Sequence, residues 1–207
     1  MHGTFLHTTK LLLVAVALLL FTGAIASLGS FSTDTARAGT RDNVSGFAWS
    51  SNIGWVSFNC ANFPGGCSPD YGVRVGDLDE NGARPFSGYA WNDAIGWVNF
   101  GPGDGYPESP NHGTQLEADG ETVTGWARAC GVFANEASCA GRLKDDFYLG
   151  GWDGWIKMSG DWERGVTLNK ENLEKQFFEG FAWGSDVIGW MSMSGANPSY
   201  AVLFAAS

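Results

Sequence analysis

Positively charged residues are scarce in this chain. Its 207 residues include 12 Lys and Arg against 22 Asp and Glu, a formal net charge of −10. Nucleic acids and anionic lipid headgroups are bound mainly through clustered Lys and Arg side chains. The composition therefore disfavours both partners, and the simplest reason for the acidity is solubility of a chain that carries ten Trp.

Histidine is equally scarce. Two of the three histidines, His2 and His7, lie in the first ten residues, so His112 is alone in the rest of the chain. A Ser-His-Asp triad or a Cys-His dyad would need this histidine, and no nucleophile motif lies near it. We therefore expect no enzymatic activity, with a glycan hydrolase based on two carboxylates as the weaker alternative. The acids it would draw on are Asp145, Asp146, Asp153, Asp161 and Glu163.

Only one stretch is apolar enough to interact with a membrane. Leu11–Phe21 follows a positive charge and precedes an Ala-x-Ala pattern that ends at Ala26, so residues 1–26 are predicted to be a secretory signal peptide. A polar linker follows over 27–43. The alternative is an uncleaved N-terminal anchor, because Leu11–Leu28 has 18 residues without a charge. Either reading predicts that the remainder is exported to the cell surface or beyond.

Four cysteines, Cys60, Cys67, Cys130 and Cys139, fit an oxidising compartment. They lack the Cys-x-x-Cys spacing of a zinc site. Of the three possible pairings, proximity in sequence favours Cys60 with Cys67 and Cys130 with Cys139.

One short phrase recurs four times. It begins Gly-aromatic-Ala and, after a turn or an insertion, resumes with Gly-Trp and alternating apolar residues. A spacing of about 40 residues is typical of stacked or closed β-repeats, whose single units cannot bury their own apolar faces. The copies span Gly46–Phe58, Gly88–Phe100, Gly125–Met158 and Gly180–Met193.

Each phrase predicts a β-hairpin, because its residues alternate with a period of two. A third strand precedes three of the copies, and the chain ends in a surplus apolar strand, Tyr200–Phe204. We predict a single all-β domain over 44–207 of about twelve antiparallel strands from four three-stranded repeats. Pairing of the N- and C-terminal strands would close it as a propeller, prism or barrel. The alternative is a linear stack whose last strand pairs with another molecule in a filament.

The third copy departs from the pattern, with Arg128 in place of a Trp and an insertion at 129–151. Insertions into repeats often mark the binding face. The candidate ligand-binding residues are therefore Arg128 and three Trp outside the regular phase, Trp126, Trp152 and Trp162. The Trp that recur in phase with the strands are predicted to be core: Trp49, Trp55, Trp91, Trp97, Trp183 and Trp190.

A calcium site is a further hypothesis. Asp77, Asp79 and Asn81 place oxygens at the first, third and fifth positions of a calcium loop, and Gly82 occupies the sixth. The twelfth position holds Gly88 rather than a bidentate Glu, and a plain hairpin turn is the alternative. No other cofactor is expected.

The Gly-aromatic-Ala-Trp…Ile-Gly-Trp-x-x-Phe phrase resembles Trp/Gly repeats in exported proteins of uncultivated small-genome bacteria. The resemblance covers residues 44–204 and implies an exported β-repeat protein without implying an activity. Our functional hypothesis is non-catalytic recognition of a glycan or cell-surface polymer, because flat indole faces stack on sugar rings. The runner-up is a self-assembling surface-layer or filament subunit.

Overall fold

The computed structural model describes residues 42–145, 150–171, 173, 175–196 and 199–205. The predicted signal peptide or anchor, 1–26, lies outside these residues, as does the predicted linker except for 42–43. The strands, in chain order, are β1 (Val44–Ser50), β2 (Gly54–Ser57), β3 (Val73–Val75), β4 (Arg84–Asn92), β5 (Gly96–Asn99), β6 (Gln115–Leu116), β7 (Val123–Thr124), β8 (Trp126–Ala129), β9 (Trp155–Lys157), β10 (Thr167–Asn169), β11 (Gln176–Glu179), β12 (Phe181–Trp183), β13 (Trp190–Ser192) and β14 (Val202–Phe204). Short helical turns occur at Cys60–Asn62, Cys130–Val132 and Ser185–Ile188.

The four predicted hairpins form an eight-stranded antiparallel barrel. Within each hairpin the two strands pair, and the second strand then pairs with the first strand of the next hairpin. The fourth hairpin returns to the first through β13 and β1, where Ser192 lies opposite Trp49. The order around the ring is β1-β2-β4-β5-β8-β9-β12-β13. The prediction of a closed all-β domain is confirmed, and the closed form is a barrel.

A second ring of strands adjoins one end of the barrel and shares β1 and β4 with it. Its order is β1-β3-β4-β6-β7-β10-β11-β14. The link from β7 to β10 is made by backbone hydrogen bonds, one of them from Val123 N to Val166 O at 2.9 Å. The C-terminal strand β14 pairs with β1, Phe204 opposite Val44, and also with β11. The chain therefore covers what would otherwise be an exposed apolar edge.

A glycine marks the point where each long strand passes from one ring to the other. Gly180 has φ +84, and a Cβ there would lie 2.1 Å from the carbonyl oxygen of Gly165. Only glycine adopts this conformation without strain. In the last two units the glycine also interrupts the strand, which explains why the described residues form fourteen strands where about twelve were predicted. The four junctions are Gly46, Gly88, Gly125 and Gly180.

The barrel interior combines small and large side chains. The Ala of each phrase is fully buried, and Phe58 or its counterpart, directly after the second strand of each hairpin, is buried in the same core. An eight-stranded barrel has an interior just wide enough for side chains to fill. These interior residues are Ala48, Ala90, Ala127, Ala182, Phe58, Phe100, Met158 and Met193.

Both disulfides that sequence proximity favoured are present, Cys60–Cys67 and Cys130–Cys139. The second lies in the predicted insertion, which joins β8 to β9. Two disulfides and no free cysteine among the described residues indicate an oxidising environment. None of the helical segments in the described part of the chain is long and apolar enough to span a membrane.

Candidate functional site

The Trp residues of the phrase lie on the outer face of the barrel, one on each of seven strands. In three hairpins the two Trp are direct cross-strand partners, with ring centroids 4.6 to 4.7 Å apart. Trp55 is 50% exposed, Trp190 47% and Trp49 38%. The prediction that the in-phase Trp form the core is therefore wrong for these residues, since the opposite face of each strand points inward.

Two more aromatic rings join the second Trp of each hairpin. In the first unit, Phe47 and Tyr200 have their ring centroids 6.1 and 5.0 Å from that of Trp55. We call these three rings an aromatic well. Equivalent wells, with centroid distances of 5.2 to 6.5 Å, occur in the other units. They consist of Tyr89, Trp97 and Tyr71; Trp126, Trp155 and Tyr106; and Phe181, Trp190 and Trp162.

The first well opens into a groove of about 500 Å³ between the first and second hairpins. Phe63 and Trp91 extend its aromatic wall, and Ser199 and Asp93 contribute polar groups. One carboxylate oxygen of Asp93 accepts the indole N–H of Trp91 at 2.9 Å, and the side chain is exposed. The groove thus combines apolar ring faces with a carboxylate and a hydroxyl that can bind hydroxyl groups.

The fourth well opens into a smaller groove of about 400 Å³. Trp162 forms one side and is fixed by a hydrogen bond from its Nε1 to Phe181 O at 3.2 Å. Glu163 and Arg164 line the rim, and both are exposed. Of the four predicted ligand-binding residues, Trp162 is the one that the structure places in an open aromatic groove.

The third well is closed by the chain itself. Trp155 is 5% exposed and Trp126 6%, because the loop that carries Tyr106 covers them. Trp126 Nε1 donates to Pro110 O at 3.0 Å, and Lys157 forms an ion pair with Glu108 at 2.6 Å. These contacts leave no room for a ligand on the indoles.

The structure brings Trp126, Arg128 and Trp152 together around Trp155, but not as a binding surface. Trp152 is 8% exposed and donates its Nε1 hydrogen to Trp155 O at 3.2 Å. The expectation that Trp126 and Trp152 are surface residues is therefore wrong. The position of these Trp residues in the repeat did not indicate that the loops of this unit cover them.

Arg128 occupies the position that a Trp has in the other three hairpins. It is the cross-strand partner of Trp155, with its guanidinium carbon 4.3 Å from that ring and 4.7 Å from the ring of Phe133. Its Nε donates to Asp153 O at 3.1 Å. Burial lowers the pKa of Arg128, and the charge of Asp153 opposes that effect. The cation is thus held by cation–π contacts that take the place of indole packing.

The second well is partly closed by Tyr71, which is buried against Trp97. Its hydroxyl donates to Ser57 Oγ at 2.8 Å. Burial raises the pKa of Tyr71, and the hydrogen bond to Ser57 counteracts part of that rise. Ser57 also lines the first groove, so this contact fixes part of the groove wall.

A cleft of about 790 Å³ lies beside the predicted insertion. Its charged groups largely pair with one another: Lys144 with Glu136, and Arg142 with Asp145 at 3.4 Å. Trp152 reaches its wall with little exposed surface. Asp146, one of the acids considered for a hydrolase, lies outside the described residues.

The residues of the calcium hypothesis lie in the turn between β3 and β4. Asp79 Oδ1 accepts the backbone N–H groups of Asn81 and Ala83 at 2.8 and 2.9 Å, so this carboxylate already caps the turn. Asp119 does the same in the next unit, where a hydrogen bond from the Thr122 hydroxyl lowers its pKa. Within the described ranges, no three His, Cys, Asp or Glu side chains are grouped as a metal site would need. A calcium ion at Asp77, Asp79 and Asn81 stays a prediction.

No protein-family model matches this chain, and neither a curated protein nor a solved structure matches it. The outer aromatic face must therefore be interpreted from its own geometry.

Collisional quenching of Trp fluorescence checks the two classes of indole. We expect acrylamide and iodide to reach a subset that includes Trp55 and Trp190, while Trp126, Trp152 and Trp155 stay protected. Trp55→Phe with Trp190→Phe should remove much of the quenchable fraction, whereas Trp155→Phe should leave it unchanged. Uniform quenching across these variants would contradict the assignment.

Proposed function

We propose that this protein is an exported, non-catalytic recognition module that binds a neutral glycan in the groove of the first aromatic well. The observation that carries the proposal is the exposed Trp55 indole, framed by Phe47 and Tyr200 and bordered by the carboxylate of Asp93. The two disulfides support a site of action outside the cytoplasm.

A sugar satisfies both kinds of surface in this groove. The C–H face of a pyranose ring can stack on the indole, while its hydroxyls bond to Asp93 and Ser199. An apolar partner would cover the Ser199 hydroxyl and the second carboxylate oxygen of Asp93 without satisfying them, which costs about 1–3 kcal/mol for each group. A volume of about 500 Å³ lies within the range of small-molecule sites.

The negative charge of the chain favours neutral glycans over anionic ones. The groove contains Asp93 and no basic side chain, and the chain carries a net charge of −10. A polyanionic polymer would be repelled at this site. We therefore expect neutral polysaccharides to bind and sulfated or uronate-rich ones to be rejected.

Replacing Trp55 with alanine tests the proposal. Loss of one stacking face should cost about 2 kcal/mol, or roughly a 30-fold loss of affinity. The measurement is fluorescence titration and calorimetry with cello-, xylo-, manno- and chito-hexaose. Leu203→Ala, which removes an exposed apolar side chain of similar exposure from β14, is the control and should bind like the wild type. The absence of binding to any neutral oligosaccharide by the wild-type protein would refute the proposed function.

A further inference from the structure

The fourth unit repeats the arrangement of the first unit closely. The ring centroids of Phe181 and Trp162 lie 6.3 and 5.3 Å from that of Trp190, against 6.1 and 5.0 Å for the equivalent pairs around Trp55. Trp190 and Trp55 are also similarly exposed, at 47% and 50%. A ring that stacks in one well therefore meets three aromatic rings at similar spacing in the other, with Trp162 in the place of Tyr200.

The two open wells are neighbours on the barrel surface. β13 carries Trp190 and pairs with β1, and β1 pairs with β2, which carries Trp55. Two interstrand spacings amount to about 10 Å, and Trp190 lies two residues along β13 from Ser192, the partner of Trp49, so the indoles of the two wells are about 12 Å apart. Trp49 lies on the strand between them, on the same outer face, and is 38% exposed. An exposed indole therefore lies between the two wells.

Charge at the fourth well is compatible with the same ligand. Its rim carries Glu163 and Arg164, which have opposite charges, so neither groove offers the excess positive charge that an anionic polymer needs. The carboxylates in both grooves instead provide acceptors for sugar hydroxyls.

The row of exposed indoles does not extend into the other two units, whose wells are covered. Tyr71 is buried against Trp97 in the second unit, and the loop that carries Tyr106 covers Trp155 in the third. The most exposed aromatic side chains among the described residues, Trp49, Trp55, Phe63 and Trp190, thus lie in the first and fourth units.

We infer that the wells of Trp55 and Trp190 are two subsites for one neutral polysaccharide chain, which crosses the barrel surface over Trp49. This inference rests on the proposed function and extends it from a single sugar to an internal stretch of polymer. Two linked subsites raise affinity through effective concentration, by factors of about 10² to 10⁴. Affinity should therefore increase steeply with the length of the oligosaccharide.

The test is a titration with a ladder from disaccharide to hexasaccharide of the neutral series that the wild type binds among the four named above. We expect one hexasaccharide per protein, bound at least about 100-fold more tightly than the disaccharide. Trp55→Ala and Trp190→Ala should each abolish most of this length dependence. Leu203→Ala should retain it, and thermal unfolding of every variant checks the fold.

Three outcomes would overturn the inference. If Trp190→Ala binds hexasaccharide like the wild type while Trp55→Ala does not, only the first well is a site and the proposed function survives. If two oligosaccharides bind each protein without a gain from length, the wells are independent. If the wild type binds no neutral sugar at all, the proposed function itself fails.

Discussion

Replacing Gly180 with alanine is expected to unfold the barrel or to lower its free energy of unfolding by at least about 4 kcal/mol. A non-glycine residue at φ +84 is strained by about 1–3 kcal/mol. In addition, the new Cβ would lie 2.1 Å from the backbone oxygen of Gly165, which has no flexible side chain to yield. The loss would be a large part of the 5–15 kcal/mol that stabilise a typical domain. Chemical denaturation followed by circular dichroism measures it.

Gly96→Ala is the matched control for this prediction. Gly96 also has a positive φ, +71, but a Cβ there would meet no atom within 4 Å. The control therefore reports backbone strain without the clash, and we expect a loss of about 1 kcal/mol. Equal losses in the two variants would show that the close approach of the strands at Gly180 does not limit stability.

Ending the chain after Tyr200 is expected to destroy the folded monomer. The truncation removes β14, which pairs with both β1 and β11. Val202 and Phe204 are 1% and 5% exposed, and their loss forfeits about 3–6 kcal/mol of burial. It also exposes apolar edges on both neighbouring strands, a cause of aggregation. Soluble yield, size-exclusion chromatography and thermal unfolding measure the effect.

Complementation distinguishes loss of closure from a general effect of truncation. A synthetic peptide of residues 199–205 should restore a soluble folded domain when it is added during refolding. The same peptide with Val202→Asp should fail, because it places a charge in the barrel interior. A truncated protein that stays monomeric with an unchanged midpoint of unfolding would contradict the role of β14.

The alternation of residues was enough to predict much of the fold. The alternation places Val56 and Phe58 on one face of the second predicted strand, and both are buried. The surplus strand Tyr200–Phe204 predicted the closure, which the pairing of β14 with β1 confirms. Parity is a local property of a pleated strand, so sequence reveals it without knowledge of distant contacts.

Parity did not reveal which face of the first strand is inside. Trp49 and Ala48 alternate equally well under either assignment, and the hydrophobicity of Trp favoured the wrong one. Which face points inward depends on the width of the barrel, because the interior of eight strands is just wide enough for side chains to fill. That width follows from the number of strands that close, which is a property of the whole domain.

The sequence by itself determined the hairpins, their pairing into a closed domain and the two disulfides, because these depend on short-range alternation, turn residues and proximity. Only the tertiary structure decided which Trp residues meet solvent. Trp55 and Trp155 occupy the same place in their hairpins, yet one is 50% exposed and the other 5%. The difference arises because the loop with Tyr106 folds over Trp155 and contacts it through residues distant in sequence. Exposure is set by such long-range packing, and the candidate binding surface therefore became visible only in the folded chain.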